Sequence, residues 1–73
     1  MTLINANLNE KYTLSNVNIK DRKIFLTLYS LGFKKGENIK VLYKTKNAHA
    51  IVVKVLGRKI ALSKSVAQNV EVY

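Results

Sequence analysis

The sequence predicts a small, mainly β fold: about five short strands curled into a barrel, with one helix after the first strand and one helical turn before the last. Three observations predict it. Apolar residues alternate at Ile39, Val41 and Tyr43 and again at Ile51, Val53 and Val55, the period-two pattern of strands with one packed face. Ile24, Leu28 and Leu31 fall instead at i, i+4 and i+7 with Phe25 beside them, the stripe of a helix that must be covered. Finally, 73 residues make one domain with one small core, so a sheet packed on one side has no second layer and must curl on itself.

The leading segment, Met1 to Asn9, has little pattern; Leu3 and Leu8 are candidates to plug an open barrel end, with Asn9 and Glu10 as the turn into the first strand. Tyr12 and Leu14 then point one way and Val17 and Ile19 the other by parity, which predicts a first strand bent near Ser15 and Asn16 and running to about Ile19. Asp21 suits the helix N-cap, since its carboxylate can accept from orphan N–H groups at the positive end of the helix. At the other end, Gly32 as a left-handed C′ residue makes Phe33 the C″ residue and Leu28 the C3 residue, the pair whose apolar contact accompanies a Schellman stop. Lys34, Lys35, Gly36 and Glu37 follow as a turn with glycine at a positive φ.

Register follows from the rule that a one-residue slip turns every inward side chain outward. A three-residue loop at Lys46, Asn47 and Ala48 sets Ile39 opposite Val55, Val41 opposite Val53 and Tyr43 opposite Ile51. With Gly57 and Arg58 as a two-residue type II′ loop, Val55 meets Ile60 and Val53 meets Leu62. The opposite face then collects Lys40, Leu42, Lys44, Val52, Lys54, Leu56, Lys59 and Ala61, a mixture of bases and aliphatics. Ser63 or Ser65 is positioned to cap one helical turn, and Val70 and Val72 face inward in a closing strand.

Composition narrows the function. The chain carries 13 Lys and Arg against 4 Asp and Glu, a formal charge of +9, which draws polyanions and anionic membrane surfaces. Lysines that solvate a sheet and protect its edges give the same composition. Catalytic chemistry is poorly supplied: His49 is the one histidine, the acids Glu10, Asp21, Glu37 and Glu71 are scattered, and no cysteine, paired carboxylate or glycine-rich phosphate loop occurs. No enzyme, cofactor or small-molecule substrate is expected, and no metal site beyond an improvised oxygen-ligated one. The N-terminus lacks the basic and apolar regions of a secretion signal, so a cytoplasmic protein is expected. Phe25 and Phe33 are assigned to the helix core, Tyr12 and Tyr43 to the sheet core, which leaves few stacking platforms for single strands.

The run Leu28-x-x-Leu31-Gly32-Phe33-x-x-Gly36-x-x-Ile39-x-Val41 resembles the signature of the FeoA family of small SH3-like proteins. The second half, Gly57-x-x-Ile60-Ala61-Leu62 followed by Ala67 and Val70-x-Val72, is similar to that family's closing hairpin, helical turn and last strand. Leu8, Asn9 and Glu10 depart from it, standing where proline and glycine commonly precede the first strand. The resemblance implies a cytoplasmic accessory of bacterial ferrous iron uptake that acts with the membrane transporter FeoB and its GTPase domain as partner and regulator, not as catalyst. Related domains also occur at the C-terminus of iron-dependent repressors.

On that reading the docking patch is the mixed outer sheet face, with Leu42, Val52 and Leu56 rimmed by Lys40, Lys44 and Lys54. An anionic inner leaflet beside the transporter is a further expected contact. The alternative is a nucleic-acid-binding barrel that places Lys34, Lys35, Lys40, Lys44, Lys46, Lys54 and Lys59 on phosphates, with salt-dependent affinity.

Overall fold

The computed structural model describes residues 1–73, apart from the side chain of Ala48. Asp21 caps α1 (Arg22–Ser30), its carboxylate accepting from the N–H groups of Lys23 at 2.9 Å and Ile24 at 3.2 Å. The helix ends as its sequence dictates. Phe33 N–H donates to Leu28 O at 3.0 Å and Gly32 N–H to Tyr29 O at 3.1 Å, the two bonds of a Schellman stop, with Gly32 at φ +108°. A turn from Lys34 to Glu37 then starts β2 (Asn38–Lys44).

With β1 (Lys11–Val17), β3 (Ala50–Val55), β4 (Arg58–Ser63) and β5 (Val70–Val72), this strand forms one antiparallel sheet in the order β4-β3-β2-β1-β5. The expected bend in β1 is present as a shift in its register with β5 between Leu14 and Asn16, although the strand stops at Val17 and not at Ile19. Ser63 accepts from Val66 N–H and caps the single turn α2 (Lys64–Ala67). Among the described residues no β4–β5 ladder closes the barrel. The gap is spanned by α2 and by a 3-10 turn at Leu3–Asn5, which packs on α2 and β5. Leu3 is fully buried there. Leu8, the other expected plug, is exposed, since the chain must emerge at that point to reach the left-handed turn at Asn9, φ +62°.

Tyr12, Leu14, Phe33, Ile39, Val41, Val53, Val55, Val70 and Val72 are buried in one core. Two aromatic assignments are corrected by the geometry. Tyr43 is 52% exposed, because the register of β2 on β3 shifts after the Val41–Val53 pair and sets Tyr43 opposite Val52 and Lys44 opposite Ile51. The bulge at Leu42 exchanges the two faces at the end of the strand. Leu3 and Ala6 fill the barrel end that an inward Tyr43 would need, and the Lys44 ammonium instead donates to Ile4 O at 2.8 Å. Phe25 is also partly exposed: a barrel this small covers only one side of α1, where Leu28 is buried and Leu31 half-buried.

The β3–β4 hairpin is two residues out of the expected register, with Val55 opposite Arg58, Val53 opposite Ile60 and Ile51 opposite Leu62. Its loop is Leu56-Gly57, both at positive φ (+51° and +77°), which is a type I′ turn and matches the twist of the strands better than the expected type II′. Because Ser63 is needed as the α2 cap, β4 must end there, and the observed register pairs it with Ala50 at the start of β3. A shift of two leaves each side chain on its expected face.

At Gly32 a Cβ would approach Leu56 Cδ1 to 2.6 Å, but that methyl is the end of an exposed side chain and can move. Backbone strain and the tight approach, 3.1 Å, to Cγ1 of the buried Val55 therefore set the cost of substitution. Gly32→Ala should destabilise the fold by about 1–3 kcal/mol in urea unfolding, with an unchanged denaturant slope.

Candidate partner-docking surface

The outer face of the sheet is built by register. Lys11 lies opposite Lys40, Lys40 opposite Lys54, and Lys54 opposite Lys59, so four lysines stand side by side across β1, β2, β3 and β4. At about 4.8 Å per strand the row spans about 14 Å. Lys11, Asn38, Lys40, Lys54, Leu56 and Gly57 enclose a shallow depression, and no acidic residue lines it. Three of the four acids have other contacts: Glu10 accepts from the Tyr12 hydroxyl at 3.2 Å, Asp21 caps α1, and Glu71 accepts from the Asn18 side chain.

The expected patch residues divide. Lys40, Lys54 and Leu56 come together at this depression. Lys44 is turned to the barrel end by the bulge, Leu42 is the bulged residue and half-buried, and Val52 is buried between Tyr43 and Ala61 on the neighbouring strands. Leu56 is 64% exposed at the hairpin tip in a left-handed conformation, a position that suits asparagine or glycine better than a leucine. Among the motif residues, Leu28, Leu31, Gly32 and Phe33 form the helix stop, Gly36 takes φ +93° in the following turn, and Gly57 completes the β3–β4 turn.

A second part of the surface was not read from the helix periodicity. Ile24, Phe25, Leu26 and Tyr29 are all exposed on the nine-residue α1. Phe25 and Tyr29 stack with ring centroids 6.3 Å apart, and the Lys34 ammonium sits 4.8 Å above the Tyr29 ring. The signal was present in the sequence: Leu26 falls opposite the Leu28 stripe, so no rotation of the helix can bury both. Leu56 packs against Gly32 at the end of the same helix and joins it to the lysine row.

For chemistry other than binding the inventory is thin. His49 is exposed beside β3, and among the described residues no group of three or more His, Cys, Asp or Glu is close enough to hold a metal ion. No helix among the described residues is long and apolar enough to cross a membrane.

A family model described as the FeoA domain matches residues 1–73, the whole chain, including the leading segment that departs from the motif. The chain belongs to the FeoA family. FeoA proteins are small accessories of ferrous iron transport with an SH3-like barrel. A FeoA crystal structure from Stenotrophomonas maltophilia, complexed with zinc and described as a prokaryotic SH3 domain protein, is 29% identical, with a TM-score of 0.86 over 100% of this chain and 89% of its own. The solution structure of FeoA from Chlorobium tepidum is 20% identical and superposes with a TM-score of 0.92 over 100% of this chain and 69% of its own, a likeness of fold. A manganese-dependent transcriptional repressor, 20% identical, contains the same fold in 35% of its chain, matched over 100% of this one with a TM-score of 0.87. No curated protein matches the sequence.

The lysine row should be a burden on the FeoA-family fold, since like charges directly opposite one another destabilise a sheet. Lys54→Glu turns two repulsive pairs into attractive ones. It should raise stability by about 0.5–1 kcal/mol, or about 3–6 °C in thermal unfolding, and the gain should shrink as salt is added.

Proposed function

We propose that this FeoA-family chain is a cytoplasmic, non-catalytic regulator that docks on the GTPase-containing soluble region of the transporter FeoB and modulates ferrous iron passage. The observation that carries this reading is α1, which leaves Phe25, Leu26 and Tyr29 exposed along one side of a short helix. Exposed apolar side chains grouped in this way and rimmed by charge are characteristic of contact surfaces. Lys34, whose ammonium sits 4.8 Å above the Tyr29 ring, places a base beside the stacked aromatic pair, where it can steer an acidic partner.

Apolar anchors and basic rim predict different salt behaviour. Capture of the soluble region of FeoB should persist at high salt, with its association rate slowed, because screening acts on the rim and not on buried apolar contacts. Leu26→Asp, at a position 49% exposed, should leave the fold intact and weaken capture at least tenfold. Absence of capture at every salt concentration, together with normal ferrous uptake in cells lacking the chain, would remove the proposal.

A further inference from the structure

We infer that the row Lys11–Lys40–Lys54–Lys59, with Leu56 at its edge, is a binding face for anionic phospholipid headgroups that seats the domain against a membrane surface. The inference does not depend on FeoB docking. It starts from a row that works against the sheet: four ammonium groups in adjacent strands repel one another, and the depression bordered by Lys11, Lys40 and Lys54 is lined by no carboxylate that would offset them. An arrangement that works against folding, with no carboxylate lining its depression, calls for an external anion.

The chemistry of the row selects the kind of anion. All four members are lysine, compact hydrated charges on flexible stems, and the two arginines at 22 and 58 stand outside the row. Rigid guanidinium forks recognise individual phosphates and base edges bidentately, whereas lysines respond to the summed field of many charges. A nucleic acid strand would also want aromatic faces between the bases, and the row itself has none; Tyr43 stands to one side of it, opposite Val52. An acidic peptide added to the free edge of β4 would run along the strands and meet the row at one point, while the row crosses four strands. Headgroups diffusing in a plane can meet all four ammonium groups. Leu56 adds the second feature of an interfacial contact, an apolar side chain held out at a hairpin tip despite an unfavourable positive φ.

The experiment is sedimentation of the full chain with phosphatidylcholine vesicles containing 30% phosphatidylserine, against pure phosphatidylcholine vesicles, over a salt series and without any partner protein. Binding is expected only to the anionic vesicles and should fall steeply with salt. Lys40→Gln with Lys54→Gln should weaken it about 30-fold, from about fivefold per lysine near the surface. Lys20→Gln with Lys64→Gln removes the same charge away from the row and should weaken it far less, and Leu56→Asn should reduce binding severalfold while leaving the salt slope unchanged. Equal losses from the two double variants, no sedimentation at low salt, or tighter retention on polyglutamate or a single-stranded oligonucleotide than on the vesicles would each overturn the assignment. Because FeoB is absent, failure of the docking proposal leaves this result standing.

Discussion

Phe33 reaches the barrel interior because the chain leaves α1 through a left-handed residue at Gly32. The two backbone bonds of that stop reverse the direction of the chain within two residues and bring Phe33, 2% exposed, next to Leu28. The same reversal aims β2 antiparallel to β1 and sets Tyr12 opposite Ile39, so the register of the sheet is tied to the end of the helix. Gly32 also lets the β3–β4 hairpin tip approach the helix, since Leu56 and Val55 occupy the space a side chain would take. One backbone conformation thus positions the core, the sheet and the junction of the two surface patches.

The interior that results is apolar. All the buried side chains among the described residues are hydrophobic, and none of their buried polar atoms lacks a partner. Tyr12 shows how this is managed: its ring enters the core while its hydroxyl accepts from Asn7 N–H at 2.8 Å and donates to Glu10. A chain of this size has little stability to spare, so side chains that remain outside at some energetic disadvantage are informative. The lysine row, the left-handed Leu56 and the uncovered side of α1 are three such cases.

Much of this was legible in the residues. Caps at Asp21 and Ser63, the helix stop, the turn at Gly36 and the inward positions of the hairpins other than Tyr43 are local or parity effects, determined by neighbours within a few residues. The failures have a common cause. Tyr43 and Phe25 are as apolar as their buried neighbours, and only long-range packing excludes them: the bulge at Leu42 turns Tyr43 outward, and so small a barrel covers one side of α1 and leaves Phe25 partly exposed. The loop residues of the second hairpin were misplaced because a shift of two preserves the burial pattern from which register is inferred.

The sequence by itself determined the order and type of the elements, the glycine-marked reversals and which face of each strand packs, because these depend on backbone conformation and on period-two alternation. The tertiary structure decided how far each ladder runs and which lysines stand together. Lys11, Lys40, Lys54 and Lys59 are up to 48 residues apart in the chain and become one row only when four strands are set in register. Charge proximity of that kind depends on long-range pairing, for which the local pattern around each lysine carries no information.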